Sequence, residues 1–264
     1  MKKIPIALTI AGSDCSGGAG IQADIKVFSE FCVYSMSVIT SITAQNTMSI
    51  SRIKNMDEKI FAHQLNQCLK DIKPDSFKTG MIPCDFMAPI INRAIEKYDL
   101  KNFVLDPVMI SKTGNILSNK NAIYNVKKYL LPLSSLITPN IPEAEFLSGI
   151  EIKNEKDMIR ACENLEKIGA KAILLKGGHL KSLYVADLLY IKGNVRFFKN
   201  KRIKTKNTHG TGCSLSSAIV SMLAKGMDLE SSVDIAVKYI NGAIKNSLDI
   251  GKGKGPLNHF WRRT

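Results

Sequence analysis

Residues 6–31 read IALTIAGSDCSGGAGIQADIKVFSEF. The opening run, IALTIAG, is apolar and branched, as a buried strand should be. GSDCSGGAG (12–20) then supplies four glycines, and IQADIKVFSEF carries helical spacing. A strand, a glycine turn and a helix make the first half of a βαβ unit.

The alternation continues along the chain. SVITSIT, NFVLDPV, SSLITPN and KAILLKGG are short apolar runs that end at or just before Gly, Pro, Asp or Asn, each the mark of a strand followed by a loop. Helical stripes lie between them. Phe61, Leu65, Cys68, Leu69 and Ile72 share a face behind an Asp57 cap, and Met158, Cys162 and Leu165 share one behind Asn154. Leu215, Ala218, Ile219, Met222 and Leu223 form a third stripe closed by Gly226, and Val233, Ala236, Val237, Ile240, Ala243 and Ile244 form a fourth. SLYVADLLYIKGNVRFFKN alternates around KGN, as a hairpin does. The expected fold is a single α/β domain over 1–264, a three-layer sandwich. Its central sheet is mostly parallel with helices on both faces, plus a small antiparallel hairpin.

Composition narrows the class. Of 264 residues, 45% are hydrophobic and 23% charged, an ordinary globular balance. No run approaches the ~20 apolar residues of a membrane span. MKKIPIALTIAGSD has an acid where a signal-peptide cleavage site would need small residues, and is read as the first strand. The formal charge of +14 raises a nucleic-acid reading, but the lysines are scattered and no aromatic-rich basic stretch accompanies them. A positive field equally suits a phosphorylated small molecule. Six cysteines, with no CxxC and no zinc spacing, are expected as reduced thiols in a cytoplasm. Cys68 and Cys162 fall on apolar faces and read as core.

In such sheets, ligands bind beyond the carboxyl ends of the strands. The polar residues there are Gly12, Ser13 and Asp14, then Gln45 and Asn46, Asp106, Asn140 with Glu143, and Lys176 to His179. GSDCSGGAG matches neither GxGxxG nor GxxxxGK[ST], so it is either an anion-facing loop or a tight turn. NTHGTGCS (207–214) leads from glycines into a helix. Free N–H groups at that helix start would form an anion hole and favour a thiolate at Cys213. The competing reading of Cys213 is a small core residue. Asn140 and Glu143 either approach Mg²⁺ through water or cap a helix. Lys176 either contacts phosphate or lies on the surface. His179 and His209 sit in glycine turns, while His63 and His259 suit solvent or packing.

Seven segments in order carry a resemblance across nearly the whole chain: AGSDCSGGAGIQADIKVFS, MSVITSITAQNT, FKTGMI, VLDPVMISKTG, ITPNIPEAEFLSG, LLKGGH and NTHGTGCSLSSAI. Together they resemble the hydroxymethylpyrimidine/phosphomethylpyrimidine kinases of thiamine biosynthesis, in the vitamin-kinase branch of the ribokinase-like superfamily. The resemblance implies two transfers of the ATP γ-phosphoryl, first to 4-amino-5-hydroxymethyl-2-methylpyrimidine and then to its monophosphate. It implies Cys213 as catalytic base, where most of the superfamily has aspartate, with Gly210 and Gly212 in the anion hole. Gln45 would read the aminopyrimidine edge, and Gly12, Asp24, Met81 and Val108 would line the pyrimidine pocket. Asn140, Asp106, Lys176, Thr211 and His209 fall to the nucleotide and phosphates, and Glu143 and Asp106 to Mg²⁺. A cytoplasmic homodimer is expected. Cys15 and Thr79 depart from commoner family residues without touching the implied activity.

Two other readings stay open. A pyridoxine or pyridoxal kinase has the same fold, and a sugar kinase is disfavoured by Cys213. A nucleic-acid-binding protein on a disused kinase fold is motivated by charge alone.

Overall fold

The structure, a computed structural model, describes residues 3–109, 119–180 and 182–263. The part of the VLDPVMISKTG segment from residue 110 onward lies outside the described residues, as does the start of MKKIPIALTIAGSD.

Among the described residues, nine strands form one sheet in the order β3-β2-β1-β4-β5-β6-β7-β8-β9. They are β1 (Ile6–Asp14), β2 (Tyr34–Gln45), β3 (Ile50–Asn55), β4 (Ser76–Thr79), β5 (Phe103–Leu105), β6 (Leu136–Ile137), β7 (Ala172–Leu175), β8 (Tyr184–Ile191) and β9 (Asn194–Lys201). β2, β1, β4, β5, β6 and β7 run parallel. β3 and the β8–β9 hairpin are antiparallel additions at the two edges. The hairpin turns at Lys192 and Gly193, both left-handed with φ of 48° and 79°, the geometry a two-residue connection needs.

The strands alternate their side chains between two cores. In β1, Leu8 and Ile10 enter one core and Ala7 the other; in β7, Ile173 and Leu175 part from Ala172 and Leu174 in the same way. The first core is closed by α2 (Glu58–Asp71), α3 (Met87–Tyr98), the short α4 (Lys120–Asn125), α5 (Ile141–Ser148) and α6 (Glu155–Lys167). The second is closed by α1 (Gly20–Glu30), α7 (Thr211–Ala224) and α8 (Leu229–Lys245). Helices on both faces make the three layers.

The expected caps form. Asp57 accepts from the Ile60 N–H, and Asn154 accepts from those of Lys156 and Asp157. Cys162 is in the core and Cys68 packs partly buried against it. Buried His259 lies 3.0 Å from Ser214 Oγ, a packing role.

Three features were not legible as elements. β3 is a mostly exposed edge strand with no apolar run, and α3 carries a proline in its first turn. β4, SFKT, has a lysine and a threonine where a central strand should be apolar, yet all four residues are buried. Tertiary contacts override the local pattern there, because Lys78 finds its counter-charge inside the protein.

Candidate active site

The carboxyl ends of the parallel strands bring the polar residues together over a cleft of about 710 Å³. Two loops far apart in sequence form its wall. Gly210 caps α7 in the left-handed region, with φ of 80°, and a Cβ there would collide with the Gly18 carbonyl. A Cβ on Gly18 would in turn collide with the His209 ring. The glycines of GSDCSGGAG and NTHGTGCS therefore permit a backbone-to-backbone contact.

Thr211, Gly212 and Cys213 are the first three residues of α7. Among the described residues, no backbone acceptor takes the N–H groups of Gly212 and Cys213, since their partners would precede the helix. They carry the positive end of the helix dipole. The Lys176 ammonium would lie 3.3 Å from a Cβ on Gly212, so the glycine lets the charge approach the same turn. Lys176 Nζ also donates to Asp106 Oδ1 at 3.0 Å. Asp106 accepts further from Thr138 Oγ1 at 3.0 Å and from Ser216 Oγ at 3.4 Å. Burial alone would raise the Asp106 carboxyl, but Lys176 and Lys78 outweigh it and hold it below the usual range. Burial likewise opposes the Lys176 charge, and Asp106 and Glu143 restore it, leaving its pKa raised.

Cys213 keeps partial exposure to this cleft. Its electrostatics differ from the sequence expectation. Burial pushes the thiol up to about 11, against the pull of Lys78 and of the Gly20 N–H. The helix-start field does not produce a resting thiolate, because desolvation outweighs it.

Asn140 and Glu143 form a reciprocal capping box at α5, with Glu143 N–H to Asn140 Oδ1 at 3.0 Å and Asn140 N–H to Glu143 Oε2 at 2.8 Å. Both line the cleft. Burial pushes the Glu143 carboxyl up to about 7, although Lys176 pulls it down. Among the described residues, no group of three His, Cys, Asp or Glu could hold a metal. The donor set still suits Mg²⁺, which takes one or two carboxylates and fills its octahedron with water and phosphate oxygens. Buried Glu143, short of a full counter-charge, is the carboxylate a cation would relieve.

Gly12, Gln45, Met81 and Val108 also line the cleft. A Cβ on Gly12 would lie 3.0 Å from both Met81 Cε and Ser41 Oγ, so this wall is tightly packed.

Two expected site residues are placed differently. Asp24 does not reach the cleft. Its carboxylate is fully buried and bound by Lys78 Nζ at 2.7 Å, Thr9 Oγ1 at 2.6 Å and Ser217 Oγ at 2.6 Å. Its position in α1, facing β1 and β4, commits both carboxylate oxygens inside the protein. His209, expected at the nucleotide, turns its ring toward Gln45 and Asp14, with Nε2 2.7 Å from Asp14 Oδ2. An acceptor-only carboxylate across the loop contact captures the imidazole. Burial opposes the charge of Asp14, but hydrogen bonds from His209 and Ser16 hold it down at about 2.

Other cleft residues escaped sequence reasoning. Asp187 interrupts the apolar positions of β8, accepts from the Gly177 N–H at 2.8 Å, and is pushed up to about 6 by burial. Lys78, fully buried and not part of the cleft lining, also escaped it: it is the lysine in SFKT, a charge amid strand residues that could have flagged a buried ion pair. Thr43 is one more hydroxyl in a strand rich in them, and carried no signal.

The family model described as phosphomethylpyrimidine kinase matches residues 14–258. The hydroxymethylpyrimidine/phosphomethylpyrimidine kinase of Staphylococcus aureus (strain MRSA252) is 42% identical over 262 residues, 98% of this chain and 95% of that protein. An ADP complex of Bacillus subtilis pyridoxal kinase superposes with a TM-score of 0.91 at 36% identity, covering 99% of each chain. The phosphomethylpyrimidine kinase of Clostridium difficile 630 superposes with a TM-score of 0.81 at 44% identity, covering 92% of this chain and all of that one.

Proposed function

The chain belongs to the phosphomethylpyrimidine kinase family, and from that premise we propose that it phosphorylates 4-amino-5-hydroxymethyl-2-methylpyrimidine and then its monophosphate. ATP is the donor, and the diphosphate formed serves thiamine biosynthesis. One observation carries the reading. A single cleft is lined by the Gln45 amide, by the start of α7 with Gly210, Thr211, Gly212 and Cys213, and by the Lys176 ammonium.

Phosphoryl transfer asks a protein mainly to position the reactants and stabilise charge. Gln45, Gly12, Met81 and Val108 hold the ring at one end. The free N–H groups of Gly212 and Cys213 and the Lys176 ammonium meet the transferring phosphoryl group, with Thr211 beside them. Cys213 Sγ, in its thiolate form, takes the hydroxyl proton of the first acceptor and becomes the thiol. The second acceptor is already an anion and asks less of that base. Asn140 supports the nucleotide side, and Glu143 and Asp106 would hold Mg²⁺ on the phosphates. Bound there, the ion would offset phosphate charge. A homodimer is proposed on the family resemblance, checked by light scattering after gel filtration.

The test is a coupled ADP-release assay offering the hydroxymethylpyrimidine, its monophosphate and pyridoxal separately. Turnover of the first two, with pyridoxal slower, is expected. Turnover of pyridoxal alone would replace this reading with that of a vitamin B6 kinase, the activity named for the B. subtilis structure.

A further inference from the structure

Gln45 ends β2, and its amide meets two side chains. His209 Nε2 lies 3.1 Å from one terminal atom of the amide, and Thr43 Oγ1 lies 3.3 Å from the other. Each partner has its polarity set elsewhere. His209 Nε2 is 2.7 Å from Asp14 Oδ2, and Asp14, held down at about 2, is ionised and can only accept. Nε2 therefore carries a proton and has no lone pair to offer. Thr43 Oγ1 has one proton, 3.0 Å from the Ser13 carbonyl, and is left as an acceptor toward the amide.

The two ends of a carboxamide exchange by a half-turn about its last torsion. With nitrogen toward His209 and oxygen toward Thr43, donor meets donor and lone pair meets lone pair. With oxygen toward His209 and nitrogen toward Thr43, the Thr43 contact becomes a hydrogen bond, and the amide oxygen becomes the second, longer acceptor of the Nε2 proton that it shares with Asp14. The imidazole cannot swing away to relieve the first arrangement. Gly18 packs against its edge, and the backbone that carries it is held by the His209 main-chain N–H to the Gly255 carbonyl at 3.0 Å. Each amide atom keeps a second hydrogen-bonding position for a ligand.

We propose that His209 sets the sense in which the pyrimidine lies, by holding the Gln45 amide oxygen on its own side. This rests on Gln45 reading the aminopyrimidine edge, as proposed above. The exocyclic amine must meet the amide oxygen, and the ring nitrogen must meet the amide nitrogen. The hydroxymethyl group sits on the carbon next to the amine-bearing carbon, on the side away from that ring nitrogen. The amine and the hydroxymethyl group therefore both lie toward His209, whose turn runs directly into Cys213. With the amide reversed, the same two hydrogen bonds would point the alcohol toward Thr43 and β2. His209 thus acts as a positioning residue, through Gln45, on which end of the pyrimidine reaches the base.

His209→Leu removes the Nε2 proton and leaves the Asp14 carboxylate to attract the amide NH₂ group, reversing it. Calorimetry without nucleotide should find the pyrimidine Kd within about threefold of wild type, while kcat falls about tenfold or more. His209→Gln, whose amide nitrogen can reach the Nε2 position, should recover much of kcat. Wild-type kcat in His209→Leu overturns the proposal, and so does an equal fall in the Leu and Gln variants, which marks simple packing. If the leucine variant does not fold, His209→Asn, too short to place a donor at Nε2, carries the same expectation. Gln45→Ala, assayed in parallel, separates the two claims. Unchanged selectivity over pyridoxal there removes the reading of Gln45 and this proposal with it. Lost selectivity there, combined with normal kcat in His209→Leu, removes the orientation claim alone.

Discussion

The Lys78 ammonium lies 2.7 Å from the Asp24 carboxylate, and neither side chain is reached by solvent. Lys78 also donates to the Cys213 carbonyl at 3.3 Å, while Ser217 of α7 bonds Asp24. The pair ties α1 and β4 to the first turns of α7. Burial opposes the lysine charge, and Asp24 foremost restores it, leaving its pKa raised. Removing one partner strands a buried charge, at a cost of about 3–5 kcal/mol. Lys78→Met should lower stability by that order in urea unfolding. Combining it with Asp24→Leu should recover most of the loss. A double variant no more stable than the single one would show that the pair is not an isolated charge balance.

Cys213→Ala should lower kcat for the hydroxymethylpyrimidine by ~10²–10⁴-fold, the range for a general base, with less effect on the monophosphate. The wild-type pH profile tests the same role. The thiol is raised to about 11, so the thiolate becomes more populated as pH climbs from neutral. Below that value, kcat/KM for the alcohol should rise with pH, and the rise should vanish in Cys213→Ala. Equal rates for both steps in wild type and variant would remove the base assignment.

Glu143→Gln preserves the capping acceptor and removes the charge. The variant should need more Mg²⁺ for half-maximal rate, with the pyrimidine KM nearly unchanged. A superimposable Mg²⁺ titration would leave Glu143 with its helix-capping role alone.

Gln45→Ala should lower kcat/KM for the hydroxymethylpyrimidine about tenfold or more, since an unpaired buried polar group costs roughly 1–3 kcal/mol. Its preference over pyridoxal, which lacks the amine and ring-nitrogen pair, should narrow. Equal losses on both substrates would mean that Gln45 supports the pocket without reading the ring.

Asp14 lies at about 2 against an ordinary 3.8. The unfolded chain therefore takes up its proton at higher pH than the native protein does. The stabilisation is complete above the ordinary value and is lost as pH falls toward 2. The shift corresponds to about 2 kcal/mol. Asp14→Asn should flatten that part of the acid unfolding curve. A limb of undiminished steepness would place the acid sensitivity elsewhere.

Local sequence carried a large share of the architecture. β1, β2, β5, β6 and β7 are apolar runs stopped by turn residues, and α2, α6, α7 and α8 show apolar stripes with their caps or closing glycine. The β8–β9 hairpin announces itself through alternation around KGN. Alternation of strand and helix then requires a parallel sheet covered on both faces, and a parallel sheet directs ligands to its carboxyl edge. Gly12, Gln45, Asn140, Glu143 and Lys176 could be placed at one mouth on that basis, because each stands at the end of an apolar run whose direction the pattern determines, whereas Cys213 was reached through its helix start and the family resemblance.

What the tertiary structure alone decided is where charges and hydrogen-bonding atoms find partners from distant parts of the chain. Asp24 looked like a pocket residue until Lys78 and Ser217 were seen to saturate it. β4 was illegible because its lysine is neutralised from α1, a relation no local window contains. His209, expected at the nucleotide, faces Gln45 instead because Asp14, 195 positions away in sequence, holds its ring. The thiol of Cys213 is set by desolvation rather than by its helix start, since desolvation depends on every atom packed around it. Periodicity fixes the direction of an element from neighbouring residues, whereas burial and charge pairing are properties of the assembled interior.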